Sequence, residues 1–69
     1  MSSCKGKLSW PELVGVDAVP AVRLIEGSNP NVKAIVLPED SIVTTDFLCD
    51  RVRVFVDKDN VVAKTPKIG

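Results

Sequence analysis

The seven residues from Arg51 to Asp57 (RVRVFVD) constrain the fold more than any other part of the chain, because their side chains alternate strictly in character. In an extended strand, successive side chains point to opposite faces. Three valines therefore share one face, and two arginines with a phenylalanine share the other: Val52, Val54 and Val56; Arg51, Arg53 and Phe55. The pattern predicts a β-strand whose valine face covers a core and whose arginine face is turned towards another part of the chain.

The rest of the chain predicts one helix and two further strands. Apolar residues at three-to-four spacing follow Asp17, a typical helix N-cap, and the stretch from Gly27 to Pro30 should end that helix. Residues 32–37 (VKAIVL) indicate a buried strand that Pro38 ends, and residues 61–64 a short third strand. A connection of about a dozen residues separates the first two strands, which suits parallel pairing. These elements predict an α+β fold.

Chain length and charge bound what such a fold can do. The 69 residues, of which 45% are hydrophobic, predict a single small domain over residues 1–69. Nine basic and nine acidic residues give zero net charge, so we expect neither a nucleic acid nor a membrane as a partner. We expect ten side chains to form the core: Trp10, Leu13, Val14, Ala21, Ile25, Ile35, Leu37, Val52, Val54 and Val62.

The residue types missing from the sequence exclude most catalytic chemistry. The chain has no His, which excludes a Ser-His-Asp triad, a Cys-His pair and an imidazole metal ligand. Two Cys cannot close a zinc site alone, and the glycines are too scattered for a phosphate-binding loop. We therefore expect no enzyme, no metal and no cofactor. A binding or inhibitory module and a structural interaction domain remain.

The two cysteines, Cys4 and Cys49, lie too far apart for a CxxC redox motif. They either form a disulfide, which would stabilise the fold by about 4 kcal/mol, or remain reduced in the core. The polar residues around Cys4 favour the disulfide. No secretory signal is visible, so the compartment stays open: a disulfide suggests an extracellular or vacuolar protein, and reduced thiols a cytoplasmic one.

Residues 39–50 (EDSIVTTDFLCD) connect the two long strands and carry apolar and β-branched side chains without helical periodicity. The segment is either an exposed binding loop or an additional strand. Arg51 and Arg53 face the side on which it returns, where Thr44 and Asp46 offer partners. Guanidinium groups can hold such residues in a fixed geometry. Two solvated surface arginines are the alternative.

The chain resembles the potato inhibitor I family of serine-protease inhibitors. The matching motifs are CxGKxxWPELVG from Cys4, NPNV from Asn29, AIVLP from Ala34, VTxDFxCDRVRVFVD from Val43 and PxIG from Pro66. Together they extend over essentially the whole chain from Cys4 to Gly69. The resemblance implies one helix packed on a short mixed β-sheet, an extended exposed binding loop, and one disulfide between Cys4 and Cys49.

The resemblance also implies a substrate-like inhibitor that has no catalytic residue of its own. The reactive bond would be Thr45–Asp46, and a protease serine would attack the Thr45 carbonyl. Five neighbouring loop residues would enter the protease cleft: Ile42, Val43, Thr44, Phe47 and Leu48. Arg51 and Arg53 would brace the residues beside the bond from below, with Gly69 packed near both arginines.

Thr45 is where the chain departs most from the members that it resembles. Trypsin inhibitors of the family carry Lys or Arg at this position, and chymotrypsin or subtilisin inhibitors carry a large apolar residue. A small β-branched Thr suits a shallow pocket, so we expect subtilisin-like or elastase-like targets, with chymotrypsin possible and trypsin disfavoured. The alternative is a non-inhibitory or weakly inhibitory relative that serves as a storage or interaction protein.

Single residues carry the remaining expectations. Asp40 stands where relatives usually have Gly, which suggests a left-handed backbone at the start of the loop. Trp10 should be buried and Phe55 should pack beneath the loop, whereas Phe47 either contacts the protease or packs under the loop. The resemblance further implies a role in plant defence and the response to wounding, and we expect a monomer.

Overall fold

The computed structural model describes residues 4–69, so residues 1–3 of the predicted domain lie outside the described part of the chain. A short 3-10 helix, one α-helix and three strands follow in this order: Pro11–Leu13, α1 (Ala18–Ser28), β1 (Lys33–Pro38), β2 (Arg51–Val56) and β3 (Lys67–Ile68). The strands form a sheet in the order β1-β2-β3, with β1 parallel and β3 antiparallel to β2. The predicted α+β fold with a mixed sheet is confirmed.

Helix α1 begins where the sequence predicted, but it lacks the expected side-chain cap and ends one residue later than Gly27. Asp17 occupies the N-cap position, yet its side chain makes no capping hydrogen bond. Pro20 is the third helical residue, where a missing N–H leaves no intrahelical bond unmade. The helix includes Gly27 and ends at Ser28, because the backbone turns out of helical angles at Asn29.

The valine face of β2 lies at the centre of the core, as its alternation predicted. Val52 and Val54 are fully buried, and the apolar side of α1 packs on the same cluster. The buried apolar residues are Trp10, Leu13, Ala18, Ala21, Ile25, Val32, Val52, Val54, Val56, Val62 and Ile68. The predicted burial of Trp10 is confirmed, and its indole N–H donates to the Ser28 hydroxyl at 2.8 Å.

Three residues predicted for the core lie outside it. The parallel register places Ile35 beside Arg53 and Leu37 beside Phe55, and register neighbours on adjacent strands share a face of the sheet. Ile35 and Leu37 therefore lie on the arginine face, where Ile35 is exposed and Leu37 half-buried. Val14 is exposed in the turn after the 3-10 helix. The prediction of β1 as a buried strand was wrong, since β1 forms an edge with one face towards the loop.

The third strand lies nearer the C-terminus than predicted. Val61 and Val62 make only isolated bridges, to Asp17 and Val56 respectively. The strand that completes the sheet is β3, in which Ile68 pairs with Val52. Residues 61–63 pair only briefly with the end of β2, where the Asp57 N–H donates to the Val61 carbonyl at 2.9 Å and the Ala63 N–H to the Phe55 carbonyl at 2.8 Å. The Val62 N–H also donates to the Val16 carbonyl before α1 at 2.9 Å.

The N-terminal segment is attached to the end of α1 through one buried polar side chain. Asn29 is fully buried, and its amide Nδ2 donates to the carbonyls of Lys5 at 2.7 Å and Lys7 at 3.1 Å. Its Oδ1 accepts from the N–H of Asn31 at 3.0 Å. Gly6 approaches so closely that a Cβ there would lie 2.8 Å from the Asn29 side chain. These contacts place Cys4 beside the end of the loop that leads into β2.

Candidate functional site

Residues 39–50 form a loop and not an additional strand, which decides between the two possibilities that the sequence left open. Residues 41–48 have no helical or strand assignment and connect the end of β1 to the start of β2. The side chains are turned outwards: Ile42 is wholly exposed, and Phe47 and Leu48 are 65% and 44% exposed. An exposed loop with several apolar side chains is suited to contacting another protein.

Two arginines on the outer face of β2 support the loop from below. Arg53 donates from Nη1 to the Thr44 carbonyl at 3.1 Å and from Nη2 to the Thr44 hydroxyl at 2.7 Å. Arg51 donates from Nη2 to the Asp46 carbonyl at 2.9 Å. The arginine side chains are only 15% and 16% exposed. They are not the solvated surface arginines of the alternative interpretation, and their partial burial strengthens the hydrogen bonds.

The Asp46 carboxylate adds an ionic contact to both arginines. One oxygen lies 3.2 Å from Arg51 Nη1, and the other lies 3.8 Å from Arg53 Nη2. The Thr44 hydroxyl and, to a smaller extent, the Arg51 charge lower the pKa of the Asp46 carboxyl below its ordinary value. Asp46 is half exposed, so this is a screened interaction that orients the loop more than it stabilises the fold.

These contacts converge on the two residues that flank Thr45. Thr44 is held by its carbonyl and hydroxyl, and Asp46 by its carbonyl and carboxylate. Thr45 itself is exposed between them. The peptide bond between Thr45 and Asp46 is therefore presented outwards on a backbone that is fixed on both sides.

The chain end near Gly69 closes the arginine side of the loop. The Gly69 carbonyl accepts from Arg51 Nε at 2.7 Å and from the Leu48 N–H at 3.3 Å, and the Gly69 N–H donates to the Arg51 carbonyl at 3.0 Å. A Cβ placed on Gly69 would lie 3.8 Å from the edge of the Phe47 ring, which is an ordinary van der Waals distance. Phe47 is nevertheless 65% exposed. The ring is thus only partly packed, and a contact between Phe47 and a protease stays a prediction.

The disulfide between Cys4 and Cys49 is present and joins the N-terminal segment to the far end of the loop, with the two Cα atoms 5.1 Å apart. Closing a chain segment of this length stabilises a small domain by about 4 kcal/mol through the entropy of the unfolded state. Cys49 lies two residues before Arg51, so the disulfide also limits how far the end of the loop can move.

Asp40 differs from its sequence-based interpretation, and Lys64 makes contacts that the sequence did not indicate. Among the described residues only Asn60 combines a side chain with a positive φ, so the left-handed backbone suggested for Asp40 was wrong. The Lys64 ammonium donates to the Glu39 carbonyl at 3.2 Å and lies 4.9 Å from the centre of the Phe55 ring. No sequence pattern predicts the contact between Lys64 and Glu39, because the two residues are 25 positions apart.

The part of the chain that the structure describes contains no group of three or more His, Cys, Asp or Glu residues arranged to hold a metal ion. None of its helices is long and apolar enough to span a membrane.

Comparison with known proteins relates this geometry to protease inhibitors. A model of the Potato inhibitor I family matches residues 2–69. The chain is 54% identical over 68 residues to an inhibitor of trypsin and Hageman factor from Cucurbita maxima, covering 99% of this chain and 100% of that relative. It is 52% identical over 65 residues to a trypsin/subtilisin inhibitor from Amaranthus caudatus, covering 94% of each. The crystal structure of bitter gourd trypsin inhibitor superposes with a TM-score of 0.95 at 48% identity, covering 99% of this chain and 100% of that one.

Proposed function

The chain belongs to the potato inhibitor I family, whose members are protease inhibitors and not enzymes, and we propose on this basis that it inhibits serine proteases through the loop of residues 42–48. Thr45–Asp46 is the reactive bond, and Ile42, Val43, Phe47 and Leu48 contact the enzyme around it. One observation carries this proposal: two partly buried arginines hold the residues on either side of a single exposed peptide bond.

In this mechanism the protease supplies the chemistry and the inhibitor supplies a preformed shape. The enzyme's serine attacks the Thr45 carbonyl, its oxyanion hole holds the developing charge, and the amine of Asp46 leaves as the acyl-enzyme forms. The Asp46 carbonyl remains bonded to Arg51, so the amine stays beside the acyl group and re-forms the bond before water replaces it. A loop that is already ordered also loses little conformational entropy on binding.

The size of Thr45 directs the choice of protease. Its short side chain fits a shallow pocket, which favours subtilisin-like and elastase-like enzymes. A deep apolar pocket of the chymotrypsin type would be left partly empty, at a cost of about 1–3 kcal/mol of unburied apolar surface. Trypsin requires a cation to pair with its buried carboxylate, and Thr45 supplies none. The name of the Amaranthus caudatus relative, a trypsin/subtilisin inhibitor, supports the subtilisin assignment. That relative and the Cucurbita maxima relative are both named as inhibitors of trypsin, so the low rank of trypsin rests on Thr45 alone.

A role in plant defence is part of the same proposal, since the relatives compared above come from plants. An inhibitor of digestive or microbial serine proteases protects tissue by blocking the enzymes that would degrade it.

A panel of proteases tests this function directly. Subtilisin, pancreatic elastase, chymotrypsin and trypsin are each titrated with the protein, and mass spectrometry then follows the Thr45–Asp46 bond in each mixture. We expect stoichiometric inhibition of subtilisin or elastase with the bond largely intact. Rapid and complete cleavage of that bond would make the chain a substrate. No effect on any of the four enzymes would favour a storage or interaction protein, and strongest inhibition of trypsin would contradict the specificity.

A further inference from the structure

The first half of the loop begins at Glu39, the residue that follows β1, and three hydrogen bonds hold its backbone. The Glu39 N–H donates to the Val56 carbonyl at 2.7 Å, which continues the β1–β2 pairing by one residue. The Glu39 carbonyl accepts from Lys64 Nζ at 3.2 Å. Two residues further on, the Ser41 N–H donates to the Pro38 carbonyl at 3.0 Å and closes a tight turn.

The ammonium group of Lys64 is directed to Glu39 by the segment that carries it. Ala63, the preceding residue, donates its N–H to the Phe55 carbonyl at 2.8 Å, so the backbone beside Lys64 is attached to β2. The ammonium then lies 4.9 Å from the centre of the Phe55 ring, within the range of a cation–π interaction. Phe55 is half-buried on the outer face of β2 and lines a recess under the loop together with Val43.

Three alternate residues on the outer face of β2 therefore support successive parts of the loop. Arg51 holds Asp46 and Arg53 holds Thr44, whereas Phe55 holds the Lys64 ammonium that bonds to Glu39. The two arginines act on residues 44 and 46 in the middle of the loop, and its far end is also attached through the disulfide. Among the described side chains, the Lys64 ammonium supplies the hydrogen bond to the backbone of the loop between residues 39 and 43.

We propose that Lys64 is a positioning residue that fixes the entrance of the binding loop by bonding to the Glu39 carbonyl while resting on the Phe55 ring. Its effect on inhibition rests on the proposed function, because an ordered entrance keeps Val43 and Thr44 in register with a protease cleft. Its effect on loop order does not depend on any protease and is measured on the free protein.

The test compares Lys64→Met, which keeps an apolar stem but removes the ammonium, with Lys64→Arg and with the control Lys58→Met. Lys58 is an exposed lysine in the turn after β2 that lines the same recess as Glu39 and Asp40. The Glu39 carbonyl accepts from Lys64, so substituting Lys58 removes a neighbouring charge of the same kind and keeps that hydrogen bond. Amide hydrogen exchange is followed by NMR at Glu39 and Ser41, the two hydrogen-bonded amides of the loop entrance. The core amide of Val54 serves as the internal reference for global stability.

Loss of an exposed cation–π contact and one hydrogen bond should accelerate exchange at Glu39 and Ser41 about fivefold in Lys64→Met. Exchange at Val54 should match that of Lys58→Met, and Lys64→Arg should return to the parent values. Phe55→Leu, which removes the ring, should reproduce part of the acceleration. If Lys64→Met and Lys58→Met exchange alike at Glu39 and Ser41, the positioning role is overturned.

A second readout connects loop order to inhibition. Incubated with whichever protease the parent inhibits, Lys64→Met should be hydrolysed at Thr45–Asp46 several-fold faster than Lys58→Met. Equal hydrolysis despite faster exchange would show that the entrance does not control the reactive bond, and would overturn that part of the proposal. If the parent inhibits no protease, the proposed function fails, while the exchange measurement still decides the role of Lys64.

Discussion

Arg53 grips Thr44 at two atoms, donating to its carbonyl at 3.1 Å and to its hydroxyl at 2.7 Å. A planar guanidinium can make both bonds at once, whereas a lysine ammonium could not reproduce their geometry. Because Thr44 is followed directly by Thr45, this grip sets the direction in which the Thr45 carbonyl faces. The shape of the proposed reactive site thus depends on a residue that lies on the sheet and not in the loop.

Replacing Arg53 should convert an inhibitor into a substrate while leaving the fold intact. Arg53→Ala removes both bonds to Thr44 and the weaker ionic contact to Asp46. Charge-assisted bonds of this kind contribute about 1.5–3 kcal/mol, so cleavage of Thr45–Asp46 should be at least about tenfold faster. The rate of cleavage by subtilisin is measured by mass spectrometry, and the fold by circular dichroism.

Arg53→Lys and Arg23→Ala control this experiment. Lysine keeps the charge but cannot make both hydrogen bonds to Thr44, so the cleavage rate of Arg53→Lys should lie between those of the parent and Arg53→Ala. Arg23 is exposed on α1, away from the loop, and its loss should leave cleavage unchanged. If Arg53→Ala were cleaved at the parent rate, the bracing role of Arg53 would have to be abandoned.

Thr45→Lys should redirect the inhibitor towards trypsin. The loop backbone is held at Thr44 and Asp46, so an exposed side chain between them can change without altering the support. A lysine there pairs with the buried carboxylate of the trypsin pocket, which Thr45 leaves unpaired. We expect inhibition of trypsin to strengthen at least about 100-fold, a change of about 2.7 kcal/mol.

The inhibition constant for trypsin is compared with that of Leu24→Lys, which adds the same charge at an exposed position on α1. Leu24→Lys should leave trypsin inhibition at the parent level. An unchanged constant for Thr45→Lys would show that Thr45 does not occupy the specificity pocket.

Acidification should loosen the loop at Asp46. The pKa of this carboxyl is lowered from its ordinary value of 3.8, so the ionised form is the one that the ordered loop favours. Its contribution to loop order is therefore complete above that ordinary value and is lost as the pH falls through the lowered pKa. NMR titration of the Asp46 carboxyl and of the Thr44 amide should report one shared transition below pH 3.8.

Asp46→Asn removes the titrating group and should abolish the transition at Thr44. A carboxyl pKa at or above the ordinary value, or a Thr44 amide that does not follow it, would contradict the coupling.

Gly6→Ala should destabilise the fold more than any other substitution of glycine by alanine in the described chain. Gly6 has a φ of +79°, and a Cβ there would lie 2.8 Å from the buried side chain of Asn29. The left-handed backbone and the displaced Asn29 hydrogen bonds together should lower the free energy of unfolding by about 2–4 kcal/mol. Thermal and urea unfolding measure this loss.

Gly27→Ala is the matched control. Gly27 lies inside α1 with no heavy atom within 4 Å of its added Cβ, so alanine should raise the free energy of unfolding by about 0.5–1 kcal/mol. Equal effects of the two substitutions would show that the Gly6–Asn29 contact does not anchor the N-terminal segment.

Local patterns predicted the central elements of this fold because the spacing of residues within each element determines its secondary structure. The alternation around Val52 and Val54 identified β2, and the length of the connection from β1 implied parallel pairing. The same alternation placed Arg51 and Arg53 on the side of Thr44 and Asp46. The reactive bond at Thr45–Asp46 came from the family resemblance and not from such a pattern.

The wrong predictions share one cause: the features concerned depend on contacts between distant segments of the chain. β3 is only two residues long and is defined by the pairing of Ile68 with Val52. Ile35 looked like a core residue until the register with Arg53 placed it on the loop side. A periodic pattern indicates which residues share a face, but it does not state which face the rest of the chain will cover.

The sequence by itself determined that this chain forms a small α+β domain with one strand that is apolar on one face and cationic on the other. The tertiary structure alone decided what the cationic face holds: Arg51 and Arg53 grip the loop backbone, and Lys64 crosses Phe55 to reach Glu39. The physical reason is that strand periodicity arises between neighbouring residues, whereas a hydrogen bond to a loop carbonyl depends on where folding brings a segment up to 25 positions away.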